Sequence, residues 1–244
     1  MTVKVPSKGL SDYLGRFCWE KAIAVVGALG SGKSEWLLNL AEAFREREED
    51  VTVADVDIIN PYFCIREVST LLERMGLKVV LPFSGTRWSD IPSISPEVDR
   101  AFGKPGRLLI DIGGDPRGAM ALTQFAPRMQ KTGYNLIAVV NAFRPQTSTT
   151  DGIEAMIRSI ERVSGLKVSG IISNSHYMAE TRVEDVYSGY RTALEAARRM
   201  DLPVLFAGVP RDAMEEAAIR FTGEDVTLWP VSRYILLPWE RGGE

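Results

Sequence analysis

The chain has 244 residues, of which 45% are hydrophobic and 25% are charged, as is usual for a soluble globular protein. The formal net charge of -3 gives no support for binding to nucleic acids or to membrane surfaces. The sequence contains only two cysteines and no C-x-x-C pair, so neither a disulfide framework nor a self-contained metal site is indicated. No apolar run reaches transmembrane length and no signal-peptide layout is present, so we expect a cytoplasmic protein.

Residues 1–20 are polar and mixed, and we expect them to form a lead-in segment that packs on a single domain, residues 21–244. Ala22–Val26 is a short, apolar, β-branched run that predicts a buried strand. About ten residues later, apolar side chains recur at the spacing of one helical face. Strand and helix are therefore expected in direct succession, joined by residues 27–32.

The stretch that joins them, residues 27–34, has the sequence GALGSGKS and fits the phosphate-binding pattern G-x-x-x-x-G-K-[ST]. Glycine allows a tight bend whose backbone N–H groups face a polyphosphate, and the helix N-terminus adds a favourable dipole. Lys33 is expected to reach the β- and γ-phosphates and Ser34 to bind Mg²⁺. An ordinary strand-to-helix turn would leave the Lys-Ser pair unexplained. The predicted phosphate-binding residues are Gly27, Ala28, Leu29, Gly30, Ser31, Gly32, Lys33, Ser34 and Glu35.

A second predicted strand, residues 51–56, carries Asp55 and Asp57 to its carboxyl end. Ligands of open parallel sheets bind beyond that end of the strands. Two carboxylates spaced two apart in extended chain point the same way, which suits Mg²⁺ and water. An acidic strand end that caps the next helix is the alternative interpretation.

Residues 82–105 are rich in Pro, Ser and Gly and predict a long loop, which is typical of a lid, a partner surface or a disordered segment. Residues 107–111 then form an apolar strand ending in Asp111, the Walker B pattern, in which the carboxylate holds Mg²⁺ through water. Gly114 completes D-x-x-G and would let a backbone N–H approach the γ-phosphate.

Further apolar runs at residues 136–140, 168–173 and 203–206 alternate with helical patterns, and residues 229–239 are apolar enough to supply a last strand. This alternation predicts a three-layer α/β/α sandwich with a mostly parallel central sheet, the architecture of P-loop NTPases. His176, the only histidine, follows the strand that ends at Asn174. A structural contact or a contact to the base edge is favoured for it over a role as catalytic base.

This combination of motifs resembles the SIMIBI class of P-loop NTPases, and within it the CobQ/CobB/MinD/ParA nucleotide-binding family, over most of residues 21–210. The resemblance implies that Asp57 positions or activates the attacking water, Asp111 binds a Mg²⁺-bound water and Asn174 reads the base. Pro210 and Arg211 would flank the base. The expected metal site consists of Ser34, Asp55, Asp57 and Asp111.

The chain departs from the family pattern at two points. Ala28 stands where MinD- and ParA-like proteins carry a second lysine, which puts a nucleotide-sandwich dimer in doubt, although a homodimer stays open. Residues 174–177 do not supply the N-K-x-D motif of GTP-specific relatives, which favours adenine. The expected ligands are therefore ATP and Mg²⁺.

Three functions fit this pattern. The leading hypothesis is an ATPase that couples hydrolysis to a conformational change acting on a partner protein or metallocentre. The second is a small-molecule kinase or amide-forming synthetase, in which Arg87, Asp90 or Arg144 would hold the acceptor. The third is a nucleotide-gated binding module with little turnover. No nucleic-acid or membrane partner is indicated.

Overall fold

The computed structural model describes residues 9–47, 49–57, 65–82, 96–113 and 116–235. Within them, eight strands form one sheet in the order β3-β2-β4-β1-β5-β6-β7-β8, and every neighbouring pair is parallel. The strands are β1 Ala22–Val26, β2 Val51–Asp55, β3 Lys78–Val80, β4 Arg107–Asp111, β5 Tyr134–Val140, β6 Gly170–Ser173, β7 Val204–Pro210 and β8 Thr227–Val231. The predicted parallel sheet is confirmed.

Helices cover both faces of this sheet, which completes the predicted three-layer sandwich. The helices are α1 Lys33–Glu46, α2 Ser69–Arg74, α3 Pro96–Gly103, α4 Pro116–Thr123, α5 Ala126–Thr132, α6 Thr150–Ser164, α7 Val183–Arg199 and α8 Met214–Arg220. Within the part of the chain that the structure describes, no helix combines the length and apolar character needed to cross a membrane.

The alternation of side chains along the central strands divides the core in two. On β1, Ala22, Ala24 and Val26 face one hydrophobic cluster, while Ile23 and Val25 face the other. All five residues are buried because β1 has a strand on each side and a helical layer on each face. This explains why the run is apolar throughout rather than alternating in polarity.

Helix α1 lies on the same face as the described part of the lead-in segment. The apolar side chains that predicted one helical face are buried, and so are the side chains of Trp36 and Leu38. The helix is therefore enclosed over most of its circumference. Leu10, Leu14 and Trp19 belong to the same core cluster. The lead-in segment therefore supplies part of the core on this face.

The prediction of a loop over residues 82–105 is wrong for its second half, because helix α3 spans Pro96–Gly103. Its apolar residues Val98, Ala101 and Phe102 are buried at helical spacing, and a proline at the first position is compatible with a helix start. Residues 83–95, with Arg87 and Asp90, lie outside the described residues. Helices α4, α5 and α8 were not predicted either.

Strand β8 confirms the strand expected near residue 229, although it begins at Thr227 and ends at Val231. The Trp229 side chain is fully buried, and its ring lies 5.1 Å from that of Tyr13, 5.5 Å from Trp36 and 4.8 Å from Phe206, between ring centroids. The last strand, the lead-in segment and α1 thus share one aromatic cluster.

Replacing Trp229 by alanine should lower the free energy of unfolding by about 3–5 kcal/mol, because it empties the centre of this cluster. Chemical denaturation checks the value. Ile219→Ala is the control, since that side chain is 77% exposed and its truncation should change little. Equal effects of the two substitutions would contradict the described packing.

Candidate functional site

Residues 27–32, which we call the glycine loop, contact the end of strand β5. Gly27 has φ 149°, and a Cβ added there would lie 2.2 Å from the carbonyl oxygen of Val139, so no side chain fits. Gly32, with φ 86°, is in the left-handed region and precedes the first residue of α1. The loop therefore leaves β1 and enters the helix in a path that depends on glycine at both ends.

Lys33 and Ser34 stand on the first turn of α1, at the carboxyl end of the central strands. The Lys33 side chain is buried and its Nζ donates to the carbonyl oxygen of Ala28 at 3.2 Å. The Ser34 hydroxyl donates to Oδ2 of Asp111 at 2.6 Å. The structure thus brings the two ends of the predicted phosphate and metal site together, across 77 residues of sequence.

Strand register places the acidic residues next to one another. In the parallel pairing of β2 with β4, Asp55 is the direct partner of Asp111. The chain then turns, and the N–H of Asp57 donates to Oδ1 of Asp55 at 3.0 Å. Asp57 Oδ1 lies beside Gly113, within 2.9 Å of where a Cβ on that glycine would be. All three carboxylates are buried in one cluster.

Burial is the main reason that the pKa of Asp111 is raised to about 7. The hydrogen bond from Ser34 and the charge of Lys33 act in the opposite direction, while Asp55 and Asp57 raise the pKa further. A cluster of this kind is costly to ionise without a cation close by.

The same cluster fits the requirements of Mg²⁺. Asp111 Oδ1 is buried and has no hydrogen-bond partner, so one carboxylate oxygen is available beside the Ser34 hydroxyl. Among the described residues, no group of three or more His, Cys, Asp or Glu side chains is arranged to hold a metal ion by itself. Mg²⁺ commonly uses one or two protein oxygens and takes its other ligands from phosphates and water. Ser34 and Asp111 match that pattern.

Asn174, the residue directly after strand β6, contacts the glycine loop. Its Nδ2 donates to the carbonyl oxygen of Ser31 at 2.8 Å, and a Cβ on Gly32 would lie 2.3 Å from the same nitrogen. Its Oδ1 lies beside Gly208 of β7. The predicted base-reading residue is therefore in contact with the phosphate-binding loop.

His176 lies next to the same loop, with Nε2 3.7 Å from the position of a Cβ on Gly32. Its Nδ1 accepts a hydrogen bond from the N–H of Met178 at 3.3 Å. Burial lowers the pKa of His176 to about 4, and the charges of Arg144 and Arg233 lower it further. The imidazole is accordingly neutral near pH 7.

The remaining predicted residues are more dispersed. Pro210 ends β7, and Arg211 is exposed and donates to the Ser232 hydroxyl. Glu35 accepts hydrogen bonds from backbone N–H groups of residues 234 and 235, so its carboxylate is engaged away from the glycine loop. Leu29 is exposed and Ala28 is buried within the loop. Gly114 and Asp115 lie outside the described residues.

Two residues that follow β5 also lie at this site: Arg144, which the sequence suggested only as a residue that would hold an acceptor, and Asn141, to which the sequence gave no role. Arg144 Nε donates to the carbonyl oxygen of Gly30 at 2.9 Å. Asn141 accepts a hydrogen bond from the N–H of Phe143 at 2.9 Å and donates to the carbonyl of His176 at 3.4 Å. Their position directly beyond a buried strand was the signal available in the sequence, the same one that identified Asp111.

No protein-family model matches the chain, and neither does any curated protein. Solved structures match its fold. The cell division protein FtsY of Thermotoga maritima has 19% identity and a TM-score of 0.53, over 80% of this chain and 66% of its own. The signal recognition particle receptor FtsY of Elizabethkingia anophelis has 17% identity and a TM-score of 0.51, over 80% and 62%. The chain thus spans less than two thirds of either protein.

These proteins belong to the SIMIBI class of P-loop NTPases, and the chain has their fold. The specific likeness to CobQ/CobB/MinD/ParA proteins is not shown by these matches. What these matches show is the fold.

The expectation of ATP is corrected by the same comparison. The matching proteins are GTPases, and the FtsY of Elizabethkingia anophelis has also been solved in complex with GDP, with 16% identity and a TM-score of 0.51. The choice of adenine depended on the missing N-K-x-D motif at residues 174–177. The absence of one motif is weak evidence against guanine, because other donors and acceptors can read the edge of a base.

His176 should make stability depend on pH. Its pKa is about 4 in the folded chain against 6.5 for the free side chain, so the unfolded chain binds more protons between these values. The contribution of His176 to the free energy of unfolding should therefore fall as the pH drops from 6.5 to 4, by on the order of 3 kcal/mol, whereas Asp111 and Glu35, whose pKa burial raises to about 7, contribute in the opposite direction. Denaturation curves of the parent and of His176→Gln measure this. If the free energy of unfolding depended on pH equally in the two proteins, the lowered pKa of His176 would be contradicted.

Proposed function

We propose that this chain is a Mg²⁺-dependent GTP-binding protein that hydrolyses GTP and couples hydrolysis to a change in its interaction with a protein partner. The observation that carries the proposal is the 2.6 Å hydrogen bond between Ser34 and Asp111 at the base of the glycine loop. It joins the hydroxyl and the carboxylate that hold Mg²⁺ in P-loop NTPases. The choice of guanine follows from the GDP-bound FtsY fold neighbour.

In this proposal the backbone N–H groups of residues 27–34 bind the phosphates, and Lys33 binds the β- and γ-phosphates. Nζ would exchange its present bond to Ala28 for phosphate oxygens, so no new buried charge is created. Ser34 and Asp111 would hold Mg²⁺, which would supply positive charge beside the phosphates. We assign contacts to the base to Asn174, Pro210 and Arg211, as the family resemblance implies.

Hydrolysis requires a water molecule in line with the bond between the β–γ bridging oxygen and the γ-phosphorus. Water attacks phosphorus, that bond breaks, and GDP and phosphate are the products. Asp57 lies beside Gly113, the third residue of the D-x-x-G segment that would contact the γ-phosphate. We assign to it the orientation of the attacking water, with Asp55 fixing its backbone through the hydrogen bond to its N–H.

A partner is part of the proposal because a structural neighbour is named as the receptor of the signal recognition particle, and a receptor acts by binding a partner. The identity of the partner here is left open. A closer relation to the CobQ/CobB/MinD/ParA family remains supported by motifs only. Because Ala28 occupies the position of their second lysine, dimerisation by that lysine is not proposed.

Lys33→Met should weaken GTP binding by about 10- to 100-fold, because it removes a charge-assisted contact worth about 1.5–3 kcal/mol. Methionine retains most of the buried volume, so the melting temperature should change little. Calorimetric titration of GTP in the presence of Mg²⁺ measures the effect. Lys167→Met is the control, since that side chain is 82% exposed. An unchanged affinity in the Lys33 variant would contradict phosphate binding by this loop.

Asp57→Asn should leave GTP binding intact and slow hydrolysis by a factor of about 10²–10⁴, the usual scale for a positioned acid–base group. Asparagine keeps the backbone N–H that donates to Asp55, so the local turn is preserved. Single-turnover hydrolysis at saturating GTP is the measurement. Asp151→Asn removes a carboxylate that is 90% exposed and should have no effect. A rate equal to that of the parent would show that another group positions the water.

A further inference from the structure

Arg144 lies against the glycine loop, in the turn that follows strand β5. Its Nε donates to the carbonyl oxygen of Gly30 at 2.9 Å. A Cβ added to Gly30 would lie 3.0 Å from Nε, 3.2 Å from Cζ and 3.5 Å from Nη2 of this side chain. The guanidinium group is therefore placed directly beside the backbone of the loop.

Gly30 stands at a position that the phosphate-binding pattern leaves free. The pattern G-x-x-x-x-G-K-[ST] requires glycine only at residues 27 and 32. Glycine is favoured at residue 30 for two other reasons. Its φ of 73° is in the left-handed region, and a side chain there would crowd the guanidinium of Arg144. The loop therefore has room for the arginine because residue 30 has no side chain.

The backbone of Arg144 is held in place by the turn itself. Its N–H donates to the carbonyl oxygen of Asn141 at 3.1 Å, and its carbonyl oxygen accepts from the N–H of Thr147 at 2.9 Å. The Thr147 hydroxyl donates to the same Asn141 carbonyl at 2.7 Å, and both of these residues are buried. Because the arginine is held at its backbone and at Nε, little conformational freedom remains to be lost when it binds a ligand.

The positive charge of Arg144 has no carboxylate partner among the residues that the structure describes. Within those residues, the one hydrogen bond of its guanidinium is the bond from Nε to Gly30. A guanidinium carries five N–H donors, so the four on Nη1 and Nη2 are available to a ligand. The residue is half-buried, and a cation in that position is stabilised by an anion close to it.

Arg144 and the proposed metal site lie on opposite sides of strand β1. Asp111 is the last residue of β4, whereas Arg144 follows β5, and these two strands are the neighbours of β1 in the sheet. The glycine loop leaves β1 and therefore runs between them. A polyphosphate bound by this loop would have Mg²⁺ on the side of β4 and the guanidinium on the side of β5.

We propose that Arg144 is a further phosphate-binding residue, whose Nη1 and Nη2 donate to phosphate oxygens of the bound nucleotide on the side opposite Mg²⁺. This inference rests on the proposed function. The planar guanidinium presents two parallel N–H groups that match the oxygens of a phosphate, and hydrogen bonds between ionised groups are stronger than neutral ones. Because its Nε is bound to the glycine loop itself, the arginine is better placed for the phosphates than for a separate acceptor.

Two substitutions separate the charge of Arg144 from its bond to the loop. In glutamine, Nε2 is attached to Cδ, as Nε is in arginine. Arg144→Gln can therefore keep the hydrogen bond to Gly30 while it removes the charge and the terminal nitrogens. Arg144→Ala removes both. Arg158→Gln is the control, because that side chain on α6 is 60% exposed. Melting temperatures establish that each variant is folded.

Calorimetric titration in the presence of Mg²⁺ compares two ligands, GDP and inorganic tripolyphosphate, of which the second has no nucleoside. Arg144→Gln and Arg144→Ala should both weaken tripolyphosphate binding about 10- to 100-fold, as expected for loss of a charged donor. Both should weaken GDP binding as well, because the two ligands share the phosphates. Arg158→Gln should change neither affinity.

The outcomes separate the two proposals. If the parent protein binds neither GDP nor tripolyphosphate, the proposed function fails and this inference fails with it. If the parent binds both and Arg144→Gln binds them equally well, only the inference is overturned, and an effect confined to Arg144→Ala would show that the arginine acts through its bond to the loop. Weakening of GDP alone would also overturn the inference, because it would place Arg144 at the nucleoside.

Discussion

The close approach of Gly27 to strand β5 is the constraint on which the rest of the site depends. Because β1 pairs with β5 on one side and with β4 on the other, the loop that leaves β1 has the Val139 carbonyl directly against it. The chain has to turn at this point, and it turns into α1. Ser34 is thereby placed on the side of β4, within hydrogen-bond distance of Asp111. One backbone contact thus fixes both the path of the loop and the position of the proposed metal site.

The elements around this contact could be predicted from the sequence because burial and the phosphate-binding pattern restrict which residues can occupy them. The residues of β1 and β4 are buried and give continuous apolar runs, and the Gly-Lys-Ser pattern has few uses other than phosphate binding. Their pairing brings Asp55 and Asp111 into register, which follows from the general behaviour of parallel sheets. The positions of the carboxylates could therefore be inferred without knowledge of the structure.

Other features could not be predicted because the local sequence does not determine them. Helix α3 lies in a stretch rich in Pro and Ser, and only its buried side, which includes Val98 and Phe102, shows helical spacing. Helix α8 buries one residue, Ala217, which is too little to produce a periodic pattern. The bond from Asn174 to Ser31 joins residues 143 positions apart, and the one from Ile235 to Glu35 joins residues 200 apart. Such pairings appear only when the sheet order is known.

The strand order also has a consequence for the way the chain folds. Strand β1 lies at the centre, but its two neighbours are β4 and β5, so it cannot complete its pairing until residues 107–140 are in place. Contacts between residues so far apart in sequence slow folding, because loop entropy has to be lost before the pairing is gained. During synthesis, the glycine loop would therefore remain without its final shape while more than half of the chain emerges. The proposed nucleotide site therefore takes its final shape late in folding, and until then the apolar strand β1 has to be kept from pairing with other segments or other chains.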